Sequence, residues 1–488
     1  MNTNRLARIQ PGEALADEER RGYRYTRRGA FALGLSAASG SLLSGCLSTS
    51  RHPYLSKIYD SPAQRHSPDR NPIIVIPGIL GSRLEVADSG VLAWGILGGG
   101  YLRHHFEDIA LPMEEGKALS ELHDNLVPAG VLDRVRVNLG ASIQVKAYGQ
   151  LLSSLGVGGY RDETLGTSGA IDYGTEHFTC FQFGYDWRRS SVENAALLGV
   201  FIREKKAYVE RENRKRYGDS RPVRFDLVAH SMGSLVARYF LQYGTRPLPA
   251  DGSLPALDWS GSRDVEKLIV VAPPNAGSAS AAEQLLNGYR PAPILGEFPP
   301  ALLGTMPALY ELLPRHRHGS VIDETGAPVN LFDPAVWKEQ QLGLLATGGD
   351  TTLRRLLPSL DSRDERLRVA EDHLQKCLIN AERFHAALDR PAVRPEKTRL
   401  YLFAGDATPT LDRIRLTGKG RAQKDAEAPG DGTVTRASAL LSASTDKEGL
   451  VPRSPVEWNQ TTFIAADHLG LTSNATFTDN VLHLLLES

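Results

Sequence analysis

Val223-Arg-Phe-Asp-Leu-Val-Ala229 runs into His230-Ser231-Met232-Gly233 and then, with no linker, into the apolar-periodic stretch Ser234-Leu-Val-Ala-Arg-Tyr-Phe-Leu-Gln-Tyr243. A β-rich run followed at once by a helical one leaves only the residues between them to turn the chain. A turn that sharp tolerates only tiny side chains two places before and two places after its apex, where anything larger meets the neighbouring strands. Ala229 and Gly233 occupy those places, so the pattern is A-x-S-x-G with Ser231 at the apex. The serine oxygen then projects from the turn, over a helix N-terminus, placed as a nucleophile rather than as a plain helix cap.

Buried parallel strands read as continuous β-branched runs, and Ile73-Ile-Val-Ile76, bounded by Asn71-Pro72 and Pro77-Gly78, is one. Phe178–Phe183, Lys267–Ala272, Arg399–Ala404 and Thr461–Ala465 read as further strands, with helical patterns near Ser191–Arg216 and Ser234–Tyr243. Such alternation predicts a doubly wound, mostly parallel α/β sheet. It breaks down between Ala276 and Pro395, a stretch holding the Pro-rich apolar run Pro299–Pro314 and a helical pattern near Asp361–Ala387. No repeat of fixed period is present. The expected body is one α/β domain in two parts, 71–276 and 397–488, with residues 277–396 inserted as a cap.

A serine hydroxyl is a weak nucleophile until a base takes its proton, and in this architecture the acid and the base follow the serine in that order. Of thirteen histidines, only His468 and His483 lie beyond residue 400. His468 follows a strand at its loop end, whereas His483 sits among leucines in a terminal helical stretch, so His468 is the expected base. Asp431, in the tight turn Pro429-Gly-Asp-Gly-Thr-Val434, is the expected acid, with Asp406 as its rival. Asp467 stands too close to His468 in the chain to be an easy partner. The amide of Met232, next to the serine, would be one oxyanion donor. The second would come from Pro77-Gly-Ile-Leu-Gly-Ser82, from Ile79 or Leu80, with Ile79 preferred. This chemistry calls for no metal and no cofactor. His316 and His318 in Pro314-Arg-His-Arg-His318 read as solvated surface, and Gly98-Gly-Gly100 as a flexible loop.

Over 488 residues, 56 basic and 57 acidic side chains nearly cancel, which leaves no electrostatic footprint for nucleic acid. Three cysteines exclude a disulfide-stapled scaffold. The charge is nonetheless uneven. Residues 1–28 carry seven arginines against four acids, and residues 29–45 carry no charge. Arg27-Arg28 before a weakly apolar, Gly- and Ser-diluted run resembles a bacterial twin-arginine export signal, and the run is too short and too dilute for a membrane span. Leu43-Ser-Gly-Cys46 resembles a lipobox, which predicts lipidation of Cys46 and removal of residues 1–45. The polar segment 46–70 reads as a flexible tether. The expected product is an exported protein of the bacterial cell envelope, attached to a membrane through Cys46. Cys180 and Cys377 are then its other thiols, with pairing left open.

Several motifs together resemble the lecithin:cholesterol acyltransferase family, which includes lysosomal phospholipase A2 and phospholipid:diacylglycerol acyltransferases. They are Ile76-Pro-Gly-Ile-Leu-Gly-Ser-Arg-Leu-Glu85, Tyr185-Asp-Trp-Arg188, Ala229-His-Ser-Met-Gly233, Gly430-Asp-Gly-Thr-Val434 and Asp467-His468, in the family's order. The resemblance implies an α/β-hydrolase fold with Ser231 as nucleophile, Asp431 as acid, His468 as base and the Ile79 and Met232 amides as oxyanion hole. It makes Tyr185–Arg188 a structural stretch near the site. The chain departs from the family in Ala229 for glycine, and in having no cysteines between 46 and 180 to close a short N-terminal lid. The expected activity is hydrolysis or O-acyl transfer on a lipid ester, and Pro299–Pro314 reads either as a lipid-facing cap or as core of the insertion. The competing expectation is an envelope lipoprotein that uses a hydrolase fold for lipid binding without catalysis.

Overall fold

Ile73, Ile74, Val75 and Ile76 are all buried, as a strand covered on both faces requires. This strand, β1 (Ile73–Ile76), is followed by β2 (Cys180–Gln182), β3 (Phe225–His230), β4 (Val265–Val271), β5 (Arg399–Gly405), β6 (Thr408–Thr417), β7 (Arg421–Gly430) and β8 (Gln460–Ile464). In the computed structural model the described residues are 67–487 apart from 96, 99–105, 133–134, 139–141, 146–147, 166–176, 291–296, 419 and 443–453, with 58, 59, 61 and 63 in addition. They fall within one unit, His52–Ser488. The signal segment and Cys46 lie outside the described residues.

Six strands form a parallel sheet in the order β8-β5-β4-β3-β1-β2. The chain steps from β1 outward to β2, crosses back to β3, and then builds away on the other side. The strand order therefore reverses between β1 and β3, where Val75 faces Val228 and Ile76 faces Ala229. Ligand sites in open α/β sheets sit beyond the carboxyl ends of the strands at such a reversal.

The period-2 alternation of the strands splits the core in two. Ile74, Ile76, Leu227, Ala229, Leu268, Val270 and Leu402 face one side. That side is covered by the helices Ser191–Tyr217 and Met232–Tyr243; in the longer one Val192, Ala195, Leu198, Ile202 and Val209 make the buried stripe. Ile73, Val75, Val228, Ile269, Val271 and Phe403 face the other. There the helices Gly149–Val157 and Ala475–Leu486 supply Leu151, Leu155, Phe477 and Val481. Each such aliphatic side chain contributes about 1.5–3 kcal/mol on full burial, so both layers are held mainly by the sheet they sandwich.

The strands and the long helices lie where the sequence puts them, with ends displaced by a few residues. Two parts were not foreseen. An antiparallel hairpin, β6–β7, stands between β5 and Asp431. Leu411, Ile414 and Leu416 in β6 turn into the core, but β7, Arg-Ala-Gln-Lys-Asp-Ala-Glu-Ala-Pro-Gly430, is an edge strand whose apolar side chains are three alanines and a proline. Its pairing comes from the backbone, which no hydropathy pattern reveals. A small antiparallel sheet of Ser82–Val86, Leu92–Trp94 and Leu126–Val131 also follows β1.

The described residues of 277–396 fold mainly as short helices around the long helix Arg363–Leu388, whose Ser362–Glu365 capping box fixes its start. They are joined to the hairpin. Val321–Ile322 pairs in parallel with β6, and Asn287 Nδ2 donates to the Ala422 carbonyl (2.8 Å) while Asn287 Oδ1 accepts the Ala422 amide (3.1 Å). The described residues of the expected tether are attached to the body, which shortens it. Tyr59 is buried with its hydroxyl donating to Asp479 Oδ1 (2.9 Å), and the Arg70 guanidinium stacks 3.9 Å from the Tyr160 ring centre. Cys180 and Cys377 are both buried and unpaired.

Candidate active site

Ser231 leaves β3 with φ 52° and ψ −128°, a conformation a non-glycine residue holds only when its surroundings over-determine it. Its amide donates to the Val271 carbonyl (2.8 Å), and Ser234 N donates back to the Ser231 carbonyl (2.9 Å). The small residues on either side are required by contact. A Cβ on Gly233 would stand 2.2 Å from the Pro77 carbonyl oxygen and 2.9 Å from Ile76 Cγ2. Ala229 is fully buried, in register between Ile76 and Val270, and its methyl group is accommodated there.

His468, in the loop after β8, places Nε2 2.9 Å from Ser231 Oγ. Its Nδ1 lies 2.9 Å from Asp431 Oδ2. Asp431 itself sits where β7 ends in a turn, and its Oδ1 accepts the amides of Thr433 (2.9 Å) and Val434 (2.7 Å). Its carbonyl also accepts the His468 amide (2.9 Å), so Asp431 and His468 are tied through backbone as well as side chain. Burial pushes the Asp431 carboxyl up, but the His468 ring and the two amides outweigh it and hold the group below the usual carboxylate range. Ser231, His468 and Asp431 thus come together from three separate loops at the carboxyl ends of the sheet.

The alternatives lie elsewhere. Asp406 reaches Arg436 at 3.5 Å, Asp467 accepts the Gly470 amide (2.6 Å), and the exposed His483 pairs with Glu487 at 3.2 Å. His316 is exposed, and His318 is bonded to the Ser442 carbonyl (2.9 Å). Of the Gly98–Gly100 run, residues 99 and 100 fall outside the described residues.

The loop after β1 closes on itself, Gly81 N donating to Gly78 O (3.1 Å) with Leu80 at φ 60°. Among the described residues, the Ile79 and Leu80 amides have no acceptor, and Met232 stands at the first helical position, where the amide has no partner within the helix. Tyr185–Arg188 braces this loop from below. Tyr185 Oη donates to the Pro77 carbonyl (2.9 Å), Tyr185 N donates to Ser82 Oγ (3.0 Å), and Trp187 Nε1 donates to the Ser82 carbonyl (3.3 Å). Arg188, fully buried, pairs with Asp124 (2.6 Å) and Asp186 (2.7 Å) and anchors the brace.

Two further side chains were not singled out from sequence, His230 and Tyr148. His230 is the unspecified position of A-x-S-x-G, where a motif carries no information. Burial, with the nearby His468 second, lowers its pKa to about 3, so its ring is neutral. Tyr148 precedes a helix behind a stretch without strong periodicity.

Ser231 and His468 open on a cavity of about 470 Å³. Its walls are mostly apolar, with Trp94, Trp187, Leu285, Phe298, Leu303 and Met306 among them, and Trp94 meets Trp187 edge to face at 5.5 Å. Pro299–Pro314 is divided between the core of the insertion and the cavity wall. Leu302, Thr305 and Ala308 are fully buried in the insertion, while Leu303, Met306, Leu309 and Leu312 line the cavity.

A parallel sheet with the serine on a strained strand-to-helix turn at the strand-order reversal defines an α/β-hydrolase fold. Residues 168–343 match the family model of lecithin:cholesterol acyltransferase. The family resemblance is thereby borne out over that span, which contains Tyr185–Arg188 and Ala229–Gly233. Ile79, Asp431 and His468 lie outside it. No curated protein sequence matches the chain. Among solved structures, the Tle4-Tli4 complex is similar at 16% identity and a TM-score of 0.53, over 86% of this chain and 98% of that one. Lipase 1 from Pelosinus fermentans is similar at 14% identity and a TM-score of 0.32, over 86% of this chain and 99% of that one. Staphylococcus hyicus lipase is similar at 13% identity and a TM-score of 0.31, over 86% and 96% of the two chains.

Proposed function

We propose that the chain is a serine acyl-transfer enzyme acting on lipid esters, either as a hydrolase or as an O-acyltransferase. The observation that carries this reading is the bonded series Ser231–His468–Asp431 opening on a mostly apolar cavity. The match of residues 168–343 to the acyltransferase family supports it.

In the proposed reaction His468 Nε2 takes the Ser231 hydroxyl proton as Oγ bonds to the ester carbonyl carbon. The carbonyl oxygen becomes negative and is met by the Ile79 and Met232 amides. Asp431 keeps the His468 proton on Nδ1 and stabilises the imidazolium without taking that proton. His468 then protonates the leaving alcohol as its C–O bond breaks, and the acyl group stays on Ser231. Water or a second alcohol, deprotonated by His468, attacks the acyl carbon, and the proton returns to Ser231 Oγ as the product departs. Both outcomes use the same residues. They differ in whether the cavity beneath the insertion, residues 277–396 acting as a cap, seats an alcohol and keeps water out.

The test is labelling by a fluorophosphonate together with cleavage of p-nitrophenyl acyl esters, both expected for wild type and absent in Ser231→Ala. Equal labelling of the two proteins would overturn the nucleophile assignment, and no labelling or cleavage by either would favour a lipid-binding envelope protein. Incubating a labelled phospholipid with and without a sterol or diacylglycerol separates the two outcomes. Fatty acid release unchanged by any acceptor excludes the transferase.

The proposal extends to location. Residues 1–45 would be removed as an export signal and Cys46 lipidated, leaving the body held at a bacterial envelope membrane by a short tether. Cys46→Ala is then expected to move from the detergent to the aqueous phase on Triton X-114 partitioning. An unchanged distribution would count against the anchor.

A further inference from the structure

Tyr148 and His230 take no step in the proposed reaction, yet both are buried, both line the cavity, and both are bonded into the site. The direction of the bonds is fixed from the two ends. The Gly78 amide can only donate, so it donates to Tyr148 Oη (2.8 Å). The backbone carbonyl of His468 can only accept, so His230 carries its ring proton on Nε2 and donates it there at 3.0 Å. The other nitrogen of the neutral ring, Nδ1, then accepts the Tyr148 hydroxyl hydrogen at 2.9 Å. One unbroken series therefore runs from the loop carrying Ile79 to the backbone of the base.

The packing leaves the series little slack. A Cβ on Gly78 would lie 2.8 Å from Ser231 Cβ and 3.3 Å from His230 Nδ1. The His230 ring lies 5.6 Å from that of Tyr148, edge to face, and 5.0 Å from that of His468. Although His230 adjoins Ser231 in the chain, it is no rival base, since both of its ring nitrogens are committed within this series.

We propose that Tyr148 and His230 are positioning residues, a directional relay that holds the Gly78–Ile79 loop and the base His468 at a set separation around Ser231. The inference rests on the reading of Ser231, His468 and Asp431 as catalytic. Because burial keeps His230 neutral, the relay keeps one direction across the working pH range.

The experiment is a double-mutant cycle read in kcat and KM for p-nitrophenyl butyrate, with melting temperature as the fold control. Tyr148→Phe leaves the Gly78 amide and His230 Nδ1 without their shared partner. It is expected to lower kcat about tenfold, the rate equivalent of one buried hydrogen bond, with KM unchanged. Since both residues serve one series, the Tyr148→Phe/His230→Ala double variant is expected to be no slower than His230→Ala alone. His230→Gln sets an amide nitrogen where Nε2 stands, retains the bond to the His468 carbonyl, and is expected to recover kcat to within a few-fold. His230→Asn lacks that reach and is not. Should His230→Ala fail to fold, Tyr148→Phe and the Gln/Asn pair carry the test without it. Additive losses in kcat, equal activity of the Gln and Asn variants, or a loss confined to KM would each overturn the relay. Fluorophosphonate labelling of the wild type separates the two levels. A labelled wild type with a fully active Tyr148→Phe variant sinks the relay alone, whereas an unlabelled, inactive wild type removes the catalytic reading and the relay with it.

Discussion

Gly233→Ala places the smallest possible addition at the tightest point of the site. The new Cβ would stand 2.2 Å from the Pro77 oxygen, 2.9 Å from Ile76 Cγ2 and 3.0 Å from the Ile76 oxygen. Non-bonded carbon and oxygen settle about 3.3 Å or more apart, so relief needs a displacement of about 1 Å. Two of the three atoms are backbone, and Pro77 begins the loop that carries Ile79. The helix start cannot retreat, because Met232 and Gly233 are buried and Ser231 is held by Val271. The loop must give way instead. Overpacking of this kind costs about 1–3 kcal/mol, which lowers the melting temperature by only a few degrees in a unit of this size. A displacement of about 1 Å at a reacting centre costs about 10²-fold in rate. Gly233→Ala is therefore expected to fold, to melt slightly lower, and to react with a fluorophosphonate about 10²-fold more slowly. Stopped-flow labelling and thermal melts on the same preparation read both quantities. Labelling at the wild-type rate with an unchanged melt would refute the geometry argued for the turn.

Asp431→Asn retains the shape of the turn but lets His468 take the wrong tautomer, and ester turnover is expected to fall about 10⁴-fold with little change in the melt. Removing the guanidinium in Arg188→Ala strands the Asp124 and Asp186 carboxylates, one of them deeply buried, and is expected to cost about 3–5 kcal/mol in urea unfolding. Glu311, fully buried against Ser190, Ser191 and Asn380, is pushed up to about 7, mainly by burial, from an ordinary value near 4.5. The folded protein then binds the extra proton between those values, so this residue takes stability away as pH rises from about 4.5 to 7. Glu311→Gln is expected to gain on wild type in melting temperature between pH 5 and pH 7.5, and a constant difference would contradict the assignment.

The sheet was legible because its strands are covered on both faces. Ile73–Ile76 holds no polar residue, and in Val265–Val271 only Glu266 and Lys267, near its amino end, interrupt the apolar run. The serine turn was legible because sterics dictate Gly233, and His468 because few histidines follow residue 400. Asp431 was found as a turn residue, yet the hairpin delivering it was invisible, since β7 pairs through its backbone and carries charge on its side chains. Tyr148 was hidden for a related reason. Its place depends on a hydrogen bond across 82 residues to His230, and no local periodicity records such a partner.

The pairing of Val321–Ile322 with β6, the double bond of Asn287 to Ala422, and Ser278 Oγ donating to the Thr433 carbonyl (2.6 Å) make the covering segment and the hairpin one mechanical piece. That piece ends two residues beyond the carboxylate that faces His468. The covering segment is thus no interchangeable cassette. A chimera that imports residues 277–396 from a relative while retaining the native 408–430 would sever the seam and loosen Asp431 along with it. Grafts of new specificity onto this body have to carry both stretches together.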